Sequence, residues 1–288
     1  MNTTSPLKDT TLRAMTNDGA FRVMTVRSTE TVAAAIAAQG VAGATAALFG
    51  QLLTGAVLVR ETMAPGLKVQ CILASKTAGQ LVADSLPKGI TRGLVQMVEG
   101  ITEFPVDRDD GALLVTRALP NGETHRGIVE PSADTRLSAW LTQYMLRSEQ
   151  IATRIAVSCF MMGGHVVYAG GYILQELPEA DPDAVMAQTE YLDNLEFIDH
   201  LLIENEADPQ KLLDIVLKGH DYTLLAEDEI RFGCTCSEAR LLGALATIGR
   251  EDIESMVADG EVVEIDCDYC GTHYTIPPER LKTLLTQS

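Results

Sequence analysis

Basic residues are scarce. The 288-residue chain carries 22 Lys and Arg against 40 Asp and Glu, a formal net charge of −18. Phosphates would be repelled, so general nucleic-acid binding is disfavoured. Cysteine is sparse as well: six thiols in this length are too few for a disulfide scaffold. The first 25 residues hold Lys8, Asp9, Arg13, Asp18 and Arg22, with no apolar run of signal-peptide type. No internal repeat and no low-complexity tract is visible. What is present is ordinary for a globular protein, with 46% hydrophobic and 22% charged residues, which disfavours wholesale disorder. The length suits one large domain or two to three small ones.

The charge is uneven. Residues 1–175 hold 15 basic and 14 acidic residues, residues 176–232 hold 3 and 16, and residues 233–288 hold 4 and 10. A balanced front part is therefore joined at about Glu176 to a strongly acidic segment, and at about Gly233 to a less acidic tail. Val32 to Val59 carries no charge and is long enough to span a bilayer. It is rich in Ala and Gly, which bury little apolar area, and Gly40 and Gly43 read as a break. Two closely packed buried helices are the favoured reading.

Ala20–Arg27 alternates like a strand, and Ser28 or Thr29 can cap the helix that follows. A second helix is predicted from about Gly43 to Thr62. Short β-like runs follow at Lys68–Leu73, Gln80–Asp84, Arg92–Val98, Ala112–Ala118 and His125–Val129. Turns at Pro65-Gly66, Pro87-Lys88-Gly89, Asp109-Asp110-Gly111 and Pro120-Asn121-Gly122 separate them. Such short connections favour antiparallel pairing. A helix is predicted over Thr135–Ser148, then strands over Arg154–Phe160 and Val166–Glu176. The front part reads as an α+β, antiparallel-sheet core domain with packed helices. The acidic segment 176–232 reads as helical. Leu192, Leu195, Ile198 and Leu202 fall at helical spacing, and a second short helix, Pro209–Lys218, carries Leu212, Leu213 and Val216. These apolar stripes need a partner surface.

Four cysteines cluster near the C-terminus. Cys234 and Cys236 stand two apart, so an extended backbone points both the same way. Thirty residues later comes Cys267-Asp-Tyr-Cys270-Gly271. Four thiolates suit a closed tetrahedral Zn²⁺ site with no open catalytic position. On spacing alone a structural zinc ribbon is the majority reading. A C-x-C disulfide would be strained and easily reduced, which suits a switch better than a permanent link.

Phe232-x-Cys234-Thr-Cys236-Ser237 with Cys267-Asp-Tyr-Cys270-Gly271-x-His273-Tyr274 resembles the zinc segment of the redox-regulated heat-shock protein 33 family. Tyr144-Met-Leu-Arg-Ser-Glu-Gln150, Ala169-Gly-Gly171 with Leu174-Gln175, and more weakly Phe21-Arg-Val23, are similar to parts of that family's core. The matches run in order over the whole chain. The resemblance implies three parts: a core domain at 1–175, a helical linker at 176–232 that folds over it, and a small four-cysteine zinc domain at 233–288. It implies a non-enzymatic, ATP-independent holdase of the cytoplasm and the oxidative stress response. With one Zn²⁺ per chain on Cys234, Cys236, Cys267 and Cys270, the reduced form is inactive. Oxidation gives disulfides Cys234–Cys236 and Cys267–Cys270, releases zinc and unfolds the linker. The implied partners are unfolded client proteins and, when activated, a second copy in a homodimer, with neither nucleic acid nor membrane.

The physics agrees with that implication. Zinc contributes roughly 10–16 kcal/mol in small zinc domains. Disulfides closing two- or three-residue loops constrain the chain too little to replace it. A 56-residue tail would then unfold and withdraw support from the marginal linker helices. Their apolar faces, Leu192, Leu195, Ile198, Leu202, Leu212, Leu213 and Val216, act as a latch in this scheme, with the linker's carboxylates keeping the opened state soluble. Two alternatives stand: a thiol–disulfide oxidoreductase using Cys267-x-x-Cys270, and a zinc-ribbon interaction protein with purely structural zinc. Cys71 and Cys159 read as buried small hydrophobes. His273 is not needed as a ligand, and the remaining histidines match no nucleophile motif. Gly163-Gly164 and Gly170-Gly171 lack the phosphate-loop Lys and read as a turn and a bulge. Arg147 and Glu149 read as an ion pair at a helix end.

Overall fold

The computed structural model describes residues 7–105, 111–130, 134–260 and 262–286. The chain divides into two compact units, Met1–Phe232 and Gly233–Ser288. In the first, strands β1 (Thr10–Thr16) and β2 (Phe21–Arg27) precede helices α1 (Thr29–Gln39) and α2 (Gly43–Glu61). Strands β3 (Val69–Ser75), β4 (Gly79–Ser85), β5 (Ile90–Met97), β6 (Gly111–Ala118) and β7 (Thr124–Val129) follow. Helix α3 (Leu137–Tyr144) runs into a π-helical turn, Met145–Glu149, before β8 (Thr153–Met162) and β9 (His165–Glu176). The acidic segment then forms α4 (Pro182–Asp193), α5 (Ile198–Glu204), α6 (Pro209–Val216), β10 (Tyr222–Glu229) and β11 (Arg231–Phe232).

Five strands make one sheet in the order β10-β1-β2-β9-β8, and six make another in the order β11-β5-β4-β3-β6-β7. Pairing is antiparallel apart from the short β11–β5 contact. Helix α2 packs against strands of both sheets. It is apolar around its whole circumference because it has no solvent face, and nearly every residue from Thr45 to Glu61 is buried. Its length and hydropathy would also allow a membrane span; the burial between two sheets accounts for them. Small residues permit the close approach: a Cβ on Gly50 would lie 2.5 Å from Cys159 Sγ.

The opposite face of the five-stranded sheet is covered by the acidic segment. Leu12, Ala14, Phe21, Val23, Tyr172 and Leu174 from the sheet form one apolar cluster with Leu192, Leu202, Leu212, Leu213 and Val216. Gly170 is flat for a reason: a Cβ there would meet Val26 O at 2.6 Å and the Leu202 methyl at 3.2 Å. The bulge expected at Gly170-Gly171 is therefore absent, and the β8–β9 irregularity sits at Phe160/Met161 instead. Gly163 and Gly164 do form the turn, both at positive φ.

Several local expectations are corrected. The segment 176–232 is not wholly helical, since β10 and β11 extend the two sheets. Strand β1 was not anticipated. The run Leu192–Leu202 is broken between α4 and α5, so its four leucine and isoleucine residues do not form one stripe. The cap of α1 comes from afar: Thr31 N–H donates to Asp9 Oδ2 at 2.6 Å, while the Ser28 hydroxyl meets Thr54. The turn at Asp109-Asp110-Gly111 falls at 109–110, outside the described residues.

The second unit contains α7 (Glu238–Leu245), α8 (Arg250–Asp259), the hairpin β12 (Val263–Asp266) and β13 (His273–Ile276), and α9 (Pro278–Thr286). Among the described residues, its buried apolar side chains are Leu242, Ile253, Ile276 and Leu281, with a shell of partly buried ones such as Leu245, Met256 and Ile265 packed on them. So small a core does not hold a fold of this size by burial alone.

Candidate metal and redox centre

Cys234 and Cys236 lie in the connection between β11 and α7, just ahead of Ser237, whose hydroxyl caps α7 through Arg240 N–H. Cys267 and Cys270 occupy the β12–β13 connection. Within it, the Cys267 carbonyl accepts from Gly271 N–H at 2.7 Å and from Cys270 N–H at 3.2 Å, and Cys267 N–H donates to Thr272 O. Gly271 has φ 68°, the left-handed conformation this turn requires. The two arms bring Cys234 Sγ to 3.7 Å from Cys267 Sγ and Cys236 Sγ to 3.5 Å from Cys270 Sγ. All four sulfurs lie within 4.8 Å of one another.

The donor set fits a metal. Sulfurs bound at about 2.3 Å to a tetrahedral ion stand about 3.8 Å apart, close to the two spacings seen. Polar neighbours orient the sulfurs: the Tyr274 hydroxyl donates to Cys236 Sγ at 3.1 Å, and the Thr272 hydroxyl lies 3.1 Å from Cys270 Sγ. Sequence reasoning gave neither residue a role, although both sit in the cysteine motif. Burial pushes the Cys267 thiol up to about 12. Burial opposes ionisation of Cys270 too, yet the Thr272 hydroxyl and N–H, with the neighbouring thiols, draw it down to about 7. A cation would supply the charge that deprotonates the rest. His273 pairs with Asp266 at 2.8 Å and stays out of the cluster.

Of the predicted latch residues, Leu192, Leu202, Leu212, Leu213 and Val216 are buried, whereas Leu195 and Ile198 are half-buried. Polar contacts hold the same helices. Thr25 Oγ1 donates to Pro209 O at 2.8 Å, and Arg27 Nη1 to Glu206 O at 2.6 Å. Gln188 and Tyr191 of α4 donate to the Val216 and Ile215 carbonyls, which end α6.

Cys71 and Cys159 are buried in the core, and burial pushes both thiols up to about 12, so they are inert. The Arg147–Glu149 pair is corrected: Glu149 meets Arg117 of β6 and the Tyr144 hydroxyl, each at 2.5 Å. Arg147 faces Gln143 instead. The π-helical turn carries Glu149 back toward β6.

The model of the Hsp33 protein family matches residues 9–277. The chain belongs to that family. A 33 kDa chaperonin of Desulforamulus reducens is 29% identical, covering 97% of this chain and 98% of its own. One from Levilactobacillus brevis is 25% identical, covering 98% and 99%. The crystal structure of the 33 kDa chaperonin, a heat-shock protein 33 homologue, from Thermotoga maritima superimposes with a TM-score of 0.82 at 22% identity. That alignment covers 97% of this chain and 98% of the other, and it shows the shared fold. The α+β architecture with antiparallel sheets and a C-terminal four-cysteine cluster is thus that of the Hsp33 family, whose named members are chaperonins.

Proposed function

We propose that this protein is a redox-switched, ATP-independent holdase, a binding protein and not an enzyme, working in the cytoplasm under oxidative stress. The observation that carries the reading is the four-sulfur cluster in a unit whose buried apolar core is small. The bound ion is Zn²⁺, one per chain, which favours four thiolates in a tetrahedron. Holding it keeps Cys234, Cys236, Cys267 and Cys270 deprotonated and the tail folded.

Each disulfide forms by loss of two electrons from a thiolate pair to one peroxide molecule, which takes up two protons and leaves as two waters. The family resemblance supports Cys234–Cys236 and Cys267–Cys270, and the 4.8 Å limit on sulfur spacing makes that pairing reachable without rearranging the fold. Two disulfides remove all four metal donors. Unit 233–288 then unfolds, and the destabilisation passes along the chain through Gly233 into segment 176–232. Helices α4–α6 lift from the sheet and uncover Leu12, Phe21, Val23 and Leu174 for unfolded clients. The opened form pairs as a homodimer through such exposed surface.

Zinc content and client light scattering, measured side by side before and after peroxide, test this. The reduced protein should carry one zinc and leave a thermally unfolding client to aggregate; the oxidised protein should carry none and suppress aggregation. Stoichiometric zinc in a variant with all four cysteines changed to Ser would refute the metal site. Holding that is unchanged by peroxide would refute the switch.

A further inference from the structure

The five-stranded sheet treats its two edges differently. At the β8 edge, helix α3 blocks pairing: the Thr142 and Ser138 hydroxyls accept from the Ile155 and Val157 N–H groups at 3.2 and 3.1 Å. At the other edge β10 covers β1 along its whole length, with few of its own side chains buried. Of its eight residues, Tyr222 and Ala226 are half-buried and the other six are exposed. Its register on β1 slips between Arg13 and Ala14, leaving Leu225 without a partner, and such a bulge interrupts the ladder. Besides that ladder, Tyr222 packs at the margin of the apolar cluster and Thr11 Oγ1 donates to Asp228 O, but most of its side-chain ties are polar and exposed. They include Lys8–Glu229 at 2.6 Å, Arg13–Asp228 at 2.8 Å and the Tyr222 hydroxyl on Asp214 of α6. Beneath it, β1 is well buried, with Thr11, Leu12, Ala14 and Thr16 covered.

Three features follow. The strand is held by main-chain bonds and screened charge, both indifferent to most of its side chains. Its consecutive carboxylates Glu227, Asp228 and Glu229 guard the outer edge against further strands. And β10 leads through Ile230 into β11, whose last residue stands two before Cys234. Unfolding of the tail therefore pulls on this strand before it reaches any helix of the segment.

We propose that β1 is a client-docking edge which β10 occupies in the resting protein, and that its occupant after displacement is an extended client segment. The client adds as an antiparallel strand through its backbone, with apolar side chains and an acidic residue placed to meet Arg13 or Lys8, as Asp228 and Glu229 do now. This rests on the holdase reading and names how one part of the uncovered surface recognises a partner without reading its sequence.

The Met15→Cys/Thr223→Cys pair lies at directly opposed, exposed positions of β1 and β10, and a disulfide between them, verified by mass spectrometry, locks the strand in place. After peroxide the locked protein should lose zinc, show the same hydrogen exchange over 182–216 as the oxidised parent, and hold several-fold less client. In a second arm, the free peptide of residues 222–229 should displace client from the oxidised parent. The same peptide N-methylated on alternate residues should fail, and one with Asp228 and Glu229 replaced by Lys should compete several-fold less well. A locked protein with freed helices that holds client like the parent overturns the edge, as does a native peptide that displaces nothing. An oxidised parent that holds no client overturns the holdase reading instead.

Discussion

Truncating Leu213 should switch the protein on without any oxidant. The side chain is fully buried at the centre of α6, packed among residues of the five-stranded sheet. Leu→Ala at such a site costs about 2–5 kcal/mol, and the loss falls on the covered state alone, because a lifted helix leaves the side chain in water either way. A cost of about 3 kcal/mol raises the uncovered fraction about 100-fold. Leu195 is half-buried, and Leu195→Ala should cost about 1 kcal/mol and shift that fraction about fivefold. The assay is light scattering of a thermally unfolding client with the reduced, zinc-loaded variants. Leu213→Ala should suppress aggregation and Leu195→Ala should do so weakly. Hydrogen exchange over 182–216 supplies the control. If Leu213→Ala exposes those amides while zinc stays bound, and the protein remains as inactive as the parent, the sheet surface under α6 is not a client site and the latch reasoning fails.

Peptide mapping after peroxide should recover Cys234–Cys236 and Cys267–Cys270; recovery of Cys234–Cys267 and Cys236–Cys270, the pairs at 3.7 and 3.5 Å, would show that resting proximity decides the linkage. In metal-free protein, whose tail unfolds, iodoacetamide should label the four cysteines at similar rates; a Cys270 that labels first, with a rate rising through about pH 7 as the folded cluster dictates, would show that the tail keeps its fold without the ion. Gly50→Ala should lower the melting temperature of the first unit, since its methyl would press on Cys159 Sγ and Val32; overpacking of this kind costs about 1–3 kcal/mol. An unchanged melting temperature would mean that α2 has room to move between the sheets.

The cysteine centre was legible because its chemistry is local: four thiols in two close pairs, a glycine at the turn and an extended C-x-C need no knowledge of the rest of the chain. The central strands and α2 were legible for a related reason, their composition being apolar over long runs. Strand β1 was hidden because Thr10, Thr11 and Thr16 dilute its apolar face to Leu12 and Ala14, and Ala14 earns its place only by total burial. Strand β10 was hidden by charge. Six of its eight residues are exposed, so Tyr-Thr-Leu-Leu-Ala-Glu-Asp-Glu lacks the alternation of a half-buried strand and joins the acidic helices in composition. Its partner lies more than 200 residues away, a pairing no window of sequence contains. The Asp9 cap on α1 escaped because it comes from 22 residues upstream, across strand β2, while the nearer Ser28 and Thr29 offered plausible hydroxyls that the fold uses elsewhere.

The order in which the elements leave the ribosome gives the covered face a life before it is covered. Strands β1, β2, β8 and β9 are all made once Glu176 has been joined, whereas α4–α6 and β10 arrive over the next 53 residues. At translation rates of 5–20 residues per second this interval lasts roughly 3–11 s. During it the nascent chain presents Phe21, Val23, Leu174 and the bare β1 edge on a polysome crowded with other unfinished chains. Every copy thus passes through an unsealed stage regardless of the redox state of the cell, and a pause in translation near codon 176 would prolong it.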